Sequence, residues 1–194
     1  MRRLGAIAFS VLLFCMAGAA CAQDLAKPML LVANPSLRGV YGHTALLAMP
    51  AGDKHFGFIL NRATNLTMAQ LYPEHAPSAK VQDPVYFGGP EVSNALFVLT
   101  PRDPGKPSTH LFGDVYMTGS AQVIDRVIEE TPNEARYFAG FVAWQAEELA
   151  AEIEAGYWYV GAADEALIFR HDTASLWDEL VERLRSDHHA ALTE

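Results

Sequence analysis

Cysteine is almost absent from this chain. The two that occur, Cys15 and Cys21, both fall within the first 22 residues of 194. If that segment is removed, the remaining chain has no thiols, so neither disulfide bonds nor cysteine-bound metals can stabilise it. Its stability must then come from the packing of apolar side chains.

An excess of positive charge is also missing. The chain has 14 Lys and Arg against 23 Asp and Glu, and loss of Arg2 and Arg3 would take its formal net charge from −9 to −11. Such a chain is repelled by phosphate backbones and by anionic lipid. We therefore expect no nucleic-acid partner and interpret the acidity as a solvated surface.

Long apolar runs are limited to one, at the N-terminus, from Ala6 to Ala17. It follows Arg2 and Arg3 and precedes the small-residue sequence Ala20-Cys21-Ala22. This order predicts a secretory signal peptide over residues 1–22. The run is shorter than a bilayer-spanning helix and no second one follows, so we expect no transmembrane segment in the mature chain.

The signal peptide predicts an exported protein, either periplasmic or secreted by a bacterium. Cleavage after Ala22 would release a soluble chain. The alternative is lipoprotein processing, with Cys21 as the acylated N-terminus. We disfavour it because Gly18 stands where such signals carry a large aliphatic residue.

Residues 23–194 have the length of a single domain and contain no repeat or low-complexity linker. Apolar runs between turn-forming residues predict strands at 29–33, 44–49, 56–60, 96–99, 115–117, 137–144 and 157–160. Helical spacing predicts helices at 67–71, 146–155 and 175–184, and one that opens at Ser120 and ends at Thr131-Pro132. The second and third strands should pair as a hairpin across Gly52-Asp53.

Several segments, in their order and spacing, resemble the YqgE/AlgH-like family, which is catalogued as an uncharacterised protein family. The segments are Leu30-Leu31-Val32-Ala33-Asn34-Pro35-Ser36-Leu37, Phe56-Gly57-Phe58-Ile59-Leu60-Asn61-Arg62, Pro84-Val85-Tyr86-Phe87-Gly88-Gly89-Pro90, Thr118-Gly119-Ser120 and Phe141-Val142-Ala143-Trp144, with Leu149, Glu152 and Trp158 downstream. The resemblance implies an α+β fold with a mixed, partly barrel-like sheet flanked by helices. It implies little about chemistry, and the family label of transcriptional regulator conflicts with the export signal and the acidity.

Asn61 and Arg62 end an apolar strand inside one of these segments. A guanidinium beside a carboxamide could bind a carboxylate or phosphate. The alternative is that Arg62 pairs with a nearby carboxylate and Asn61 bonds a turn, and we favour this structural interpretation.

Gly88 and Gly89 could offer backbone N–H groups to an anion. The sequence around them lacks the lysine and the Ser or Thr of a phosphate loop, and it does not match a dinucleotide fingerprint. We favour a conformational role for both glycines.

Ser120 is a candidate nucleophile, with His43, His55 or His110 as its base. The chain has no G-x-S-x-G elbow, and Ser120 stands where a hydroxyl caps a helix, so we favour capping. No histidine spacing matches a zinc site, and we predict no metal and no cofactor.

Four glutamates at positions 147, 148, 152 and 154 are interpreted as the solvated face of a helix, and Trp144, Trp158 and Trp177 as packing residues. Taken together, the sequence favours a non-catalytic exported domain that binds a protein or a small ligand. The alternatives are a hydrolase-type enzyme that uses Ser120 or the Asn61-Arg62 region and, disfavoured, a transcriptional regulator.

Overall fold

The computed structural model of the chain describes residues 24–191, with side chains described as far as Ser186. The predicted signal peptide at residues 1–22, with both cysteines, lies outside the described residues. The strands are β1 Met29–Ala33, β2 Ala45–Ala51, β3 Lys54–Ile59, β4 Tyr86–Phe87, β5 Glu91–Thr100, β6 Thr109–Phe112, β7 Val115–Thr118, β8 Arg136–Trp144 and β9 Trp158–Ala162. The helices are α1 Met68–Leu71, α2 Ala121–Glu130, α3 Glu148–Glu154, α4 Glu165–Ile168 and α5 Leu176–Ala191, with short 3-10 turns at Gly39–Tyr41 and Ala76–Lys80.

These strands form one curled sheet in the order β6-β7-β5-β8-β3-β2-β1-β9. Neighbours along this path are antiparallel, and β4 adds a parallel pairing to β8. The predicted hairpin of β2 and β3 is confirmed, with Leu47 opposite Phe58. The expected single α+β domain with a mixed, partly barrel-like sheet is therefore confirmed.

Alternation along the strands sends successive side chains to opposite faces of the sheet. On one face Leu47, Phe58 and Phe138 pack against Leu180 and Val181 of α5. On the other face a separate cluster of apolar residues packs against α3, and it contains Leu31, Leu46, Ile59, Trp144, Leu149 and Trp158. The sheet is thus buried on both faces, which explains the nearly continuous apolar runs of β1 and β2.

The second half of the sheet is covered by α2 and α1. The predicted apolar stripe of α2 is buried, and its members pack with Val98 of β5 and Tyr137 of β8; they are Val123, Ile124, Val127 and Ile128. Thr67 caps α1 in a capping box with Gln70, as its position before the helix predicts. Within residues 24–191, no helix has both the length and the apolar character needed to cross a membrane.

Candidate functional site

Asn61 follows β3 and ties two chain segments together. The N–H of Ala45 donates to its Oδ1 at 2.9 Å, and its Nδ2 donates to the carbonyl of His43 at 3.0 Å. The side chain thereby continues the β2–β3 pairing beyond the last strand residues. Both ends of the carboxamide are occupied by backbone groups.

Arg62 holds the loop that precedes β2. Its Nη1 donates to the carbonyl of Val40 and its Nη2 to that of Gly42, the latter at 3.1 Å. These carbonyls belong to the 3-10 turn and the residue that follows it, so the guanidinium fixes this turn against the end of β3. The expected carboxylate partner of Arg62 is therefore wrong, because the groups bonded to it in the described structure are backbone carbonyls. The guanidinium fork that could bind an external carboxylate or phosphate is directed at the protein's own backbone.

Gly88 and Gly89 lie where the chain presses against β8. A Cβ on Gly88 would stand 2.3 Å from the carbonyl oxygen of Gly140, and one on Gly89 would stand 2.2 Å from the carbonyl carbon of Phe141. The Gly88 N–H donates to Ala139 at 2.8 Å, and its carbonyl accepts the Ile59 N–H at 2.9 Å. Both positions therefore require glycine for close approach, and the Gly88 N–H is not available to an anion.

Ser120 occupies the N-cap position of α2, but its hydroxyl makes no capping hydrogen bond. The predicted capping of α2 by the Ser120 hydroxyl is therefore wrong. The hydroxyl of the preceding Thr118 instead accepts the Ser120 N–H at 3.1 Å and donates to the carbonyl of Pro107 at 2.8 Å. Thr118 thus fixes the strand-to-helix turn, and Ser120 is left without a side-chain partner in the described chain.

The histidines proposed as a base for Ser120 are engaged elsewhere. His43 packs edge-on against Trp177, with ring centroids 4.3 Å apart. Nε2 of His55 lies 2.8 Å from the carbonyl oxygen of Leu25, and Nε2 of His110 lies 2.7 Å from that of Gly113. Among the described residues, no histidine or carboxylate is hydrogen-bonded to Ser120.

The five candidate residues therefore form two groups. Asn61-Arg62 and Gly88-Gly89 lie together, because the Phe87 N–H donates to the Arg62 carbonyl at 2.8 Å and the Ile59 N–H to Gly88. Ser120 lies at the start of α2, beside a shallow groove of about 260 Å³ whose walls include Tyr72, Leu96, Gly119 and Ile124. The candidates do not converge on one pocket in the described structure.

A larger hollow, of about 390 Å³, lies between the proline-rich loop after β5 and the C-terminal half of α2. Its charged lining residues are Arg102, Asp103, Arg126 and Glu130. The loop contains Pro101, Pro104 and Pro107, and nothing in its sequence points to a ligand. Arg126 lies more than twenty residues further along the chain, so its contact with the loop cannot be predicted from the sequence.

Arg136 is the main buried charge that sequence reasoning missed. Its side chain is 1% exposed, and it donates to the carbonyls of Leu60 at 3.3 Å and Ile168 at 3.2 Å, and to that of Arg170. Burial lowers the pKa of its guanidinium, while Tyr86 and Asp83 act in the opposite direction. The sequence gives one indication of this role, which is that Arg136 stands directly before the apolar run of β8.

Asp83 links Arg136 to the surface. Its Oδ2 lies 4.0 Å from Nε of Arg136 and 2.8 Å from Nδ1 of His171. The Tyr86 hydroxyl donates to the His171 carbonyl at 3.3 Å. These contacts fasten the segment between α4 and α5 to the sheet, which is a structural role.

Glu152 also differs from its expectation as part of a solvated face. Its Oε2 accepts the indole N–H groups of Trp144 at 2.9 Å and Trp158 at 2.8 Å. Both tryptophans are buried, as the sequence predicts.

Burial raises the pKa of the nearby Tyr41 phenol, and Glu152, Glu91 and Glu148 raise it further.

Comparisons with known proteins agree with the sequence resemblance. The AlgH-like family model matches residues 30–189. A UPF0301 protein of Cytophaga hutchinsonii is 26% identical over 171 residues, which cover 84% of this chain and 92% of that protein. A UPF0301 protein of Chlorobium luteolum is 30% identical over 167 residues, which cover 82% of this chain and 86% of that one.

Two solved structures share the fold. The solution structure of the AlgH protein from Pseudomonas aeruginosa matches with a TM-score of 0.69 and 25% identity, over 81% of this chain and 88% of that one. The crystal structure of protein DIP2367 from Corynebacterium diphtheriae matches with a TM-score of 0.68 and 23% identity, over 81% and 86%. Because the family model spans most of the described chain and these relatives match over most of their length, the chain belongs to the AlgH-like family, whose function is uncharacterised.

Proposed function

We propose that the protein is an exported, non-catalytic binding domain. The observation that supports this proposal is that the candidate catalytic groups lack the partners that catalysis requires. The donors of Arg62 are directed at the carbonyls of Val40 and Gly42, and the hydroxyl of Ser120 has no hydrogen-bonded base among the described residues. Nucleophilic catalysis needs a base within hydrogen-bond reach of the nucleophile.

Binding, by contrast, needs only accessible groups that the fold leaves free. Two surface features offer them: the hollow beside α2 and the apolar groove at the start of the same helix. The exposed Tyr72 forms part of the wall of that groove, and the exposed Leu71 precedes it in the chain. We expect these surface features to bind a small ligand or a partner protein.

The test for non-catalysis is labelling with a fluorophosphonate probe, which reacts with activated serines. We expect the folded protein to be labelled no more than a heat-denatured sample, and the Ser120→Ala variant to behave identically. Labelling that requires both the folded state and Ser120 would contradict the proposal and support the hydrolase alternative. The Ser108→Ala variant serves as a matched control for nonspecific reaction at a surface serine.

Export rests on the predicted signal peptide, and its test is the mass of the protein recovered from the cell envelope. We expect a chain that begins at Gln23. A chain that begins at an acylated Cys21 would show a lipoprotein, and an intact Met1 start in the cytoplasm would contradict export.

The acidic charge also predicts no specific DNA binding at moderate salt, and specific affinity would favour the regulator alternative.

A further inference from the structure

The hollow between the loop at residues 101–108 and α2 has a fixed frame. The hydroxyl of Thr100 donates to the carbonyl of Arg102 at 2.8 Å, and that of Thr118 donates to Pro107. Asp103 accepts the Gly105 N–H at 2.8 Å and the Ser108 hydroxyl at 3.2 Å. A ligand entering this hollow therefore meets walls that are already ordered, which lowers the entropy cost of binding.

Arg126 extends into the hollow from the middle of α2, and its guanidinium lies close to the loop. Its Nη1 donates to the carbonyl of Pro104 at 3.2 Å. Gly105 has a φ of +87°, and a Cβ there would stand 2.6 Å from the same Nη1. The close approach of loop and guanidinium thus depends on glycine.

Most charges around the hollow already have partners. Arg102 contacts Glu134, and Asp103 is bonded within its own loop. Arg126 uses one donor for Pro104, and within the described structure it has no ion pair, not even with Glu130 one helical turn away. The hollow therefore presents one cation and one anion that do not neutralise each other by contact.

The end of α2 reinforces this polarity. Glu130 is the last residue of the ten-residue helix. The final carbonyls of a helix lack intrahelical donors and carry the negative end of its dipole, so they attract a cation. A ligand's ammonium is favoured beside Glu130, and its carboxylate is favoured beside Arg126, one turn earlier.

From this arrangement, we propose that the hollow binds a small zwitterion of the free α-amino acid class. Its carboxylate is held by Arg126, and its ammonium by Glu130 and the end of α2. The protein's formal charge of −9 repels a simple anion but not a neutral zwitterion. This inference rests on the proposed binding function and names the ligand class of one of its two surface features.

The experiment titrates the purified protein with each of the twenty L-amino acids and follows the amide of Gly105 and the side-chain N–H of Arg126 by NMR. We expect at least one amino acid to shift both signals with a saturable curve. Arg126→Gln should weaken that binding at least about tenfold, because a charge-assisted pair is lost. Arg183→Gln removes the same charge from an exposed position on α5, outside the hollow, and should change the affinity less than about threefold.

The N-acetyl derivative of the best amino acid keeps the carboxylate but lacks the ammonium. We expect it to bind more weakly and to be insensitive to Glu130→Gln, whereas the free amino acid loses affinity in that variant. Thermal unfolding of each variant shows whether it is folded. Equal binding of the derivative, or acetate binding as tightly as the amino acid, would overturn the zwitterion class.

Absence of binding by all twenty amino acids would also overturn the inference while leaving the non-catalytic proposal standing. That proposal fails on a different result, the Ser120-dependent labelling by the fluorophosphonate probe. The two outcomes are therefore distinguishable.

Discussion

The guanidinium carbon of Arg136 lies 3.9 Å from the centroid of the Tyr86 ring, so a fully buried cation is stacked on an aromatic face. Such stacking is favourable where the pair is shielded from water. The same guanidinium donates hydrogen bonds to the carbonyls of Leu60 and Ile168. One side chain thereby joins β8, the end of β3 and the segment after α4.

Replacing Arg136 should destabilise the fold strongly. Arg136→Ala leaves the carbonyls of Leu60 and Ile168 without donors and opens a cavity, at a cost of about 3–5 kcal/mol in the free energy of unfolding. Arg136→Lys keeps the charge but loses the planar fork, at a cost of about 1–3 kcal/mol. Urea denaturation measures both, and a cost for alanine no larger than that of the surface variant Arg183→Ala would refute the assigned role.

Glu152 should stabilise the protein although it lies on a helix with two other acids, Glu148 and Glu154. Glu152→Ala leaves the buried indole N–H groups of Trp144 and Trp158 without an acceptor, at a cost of about 2–4 kcal/mol. Glu154→Ala, on the exposed side of the same helix, should stay within about 0.5 kcal/mol. Denaturation followed by tryptophan fluorescence compares the two, and similar midpoints would show that the carboxylate is dispensable.

Stability should fall in alkaline solution because of Tyr137. Burial raises the pKa of this phenol. Above the ordinary tyrosine pKa of about 10, the unfolded state releases the proton while the folded state keeps it. The unfolded state then binds fewer protons, so the free energy of unfolding decreases as the pH rises.

Tyr137→Phe should flatten this alkaline decrease. At neutral pH the variant loses only the hydrogen bond to the Pro132 carbonyl, worth about 0.5–1.5 kcal/mol. Urea titrations at several values between about pH 8 and pH 11 give the slopes. An unchanged slope in the variant would assign the decrease to other groups, such as Tyr41.

Asn61 and Arg62 should control the order of the segment before β2. Asn61→Ala removes an acceptor from the Ala45 N–H and a donor from the His43 carbonyl, at a cost of about 1–3 kcal/mol. Arg62→Gln should accelerate amide hydrogen exchange around Val40 and Gly42. Arg38→Gln is the matched control, since the hydrogen bond of the Arg38 side chain within residues 24–191 goes to the nearby Pro35 carbonyl.

Neither change should affect binding at the Arg126 hollow. Amide hydrogen exchange, followed by mass spectrometry, measures the order of this segment in Asn61→Ala and Arg62→Gln. The amino-acid titration measures their ligand binding. If Arg62→Gln left exchange unchanged but abolished ligand binding, the anion-binding interpretation of this pair would replace the structural one.

Most of the fold follows from local patterns in the sequence. The apolar runs of β1 and β2 are visible because both faces of these strands are buried, and Thr67 and Gln70 mark the start of α1. β6 was not predicted, because Thr109–Phe112 is short, mixed in polarity and adjacent to a proline-rich loop. The four-residue α4 is too short to show a helical period.

The chemistry of single side chains was harder to predict, because it depends on distant partners. Glu152 is indistinguishable in sequence from the exposed Glu154, and only the return of β9 brings Trp158 to it. Ser120 has the sequence of a capping residue, yet Thr118 fixes the turn with a bond to Pro107, eleven residues earlier. The structural roles favoured for Asn61 and for Gly88-Gly89 agree with the contacts that the structure shows. Arg62 bonds backbone carbonyls instead of the nearby carboxylate expected from the sequence.

The position of β1 between β2 and β9 has a consequence for the synthesis of the chain. Met29 pairs with Ala162, so the first strand to leave the ribosome gains its second neighbour only when nearly the whole domain has emerged. Pairings so distant along the chain form slowly and late. One edge of β1 therefore stays unpaired until residues 158–162 have been synthesised, so the sheet closes at this point last.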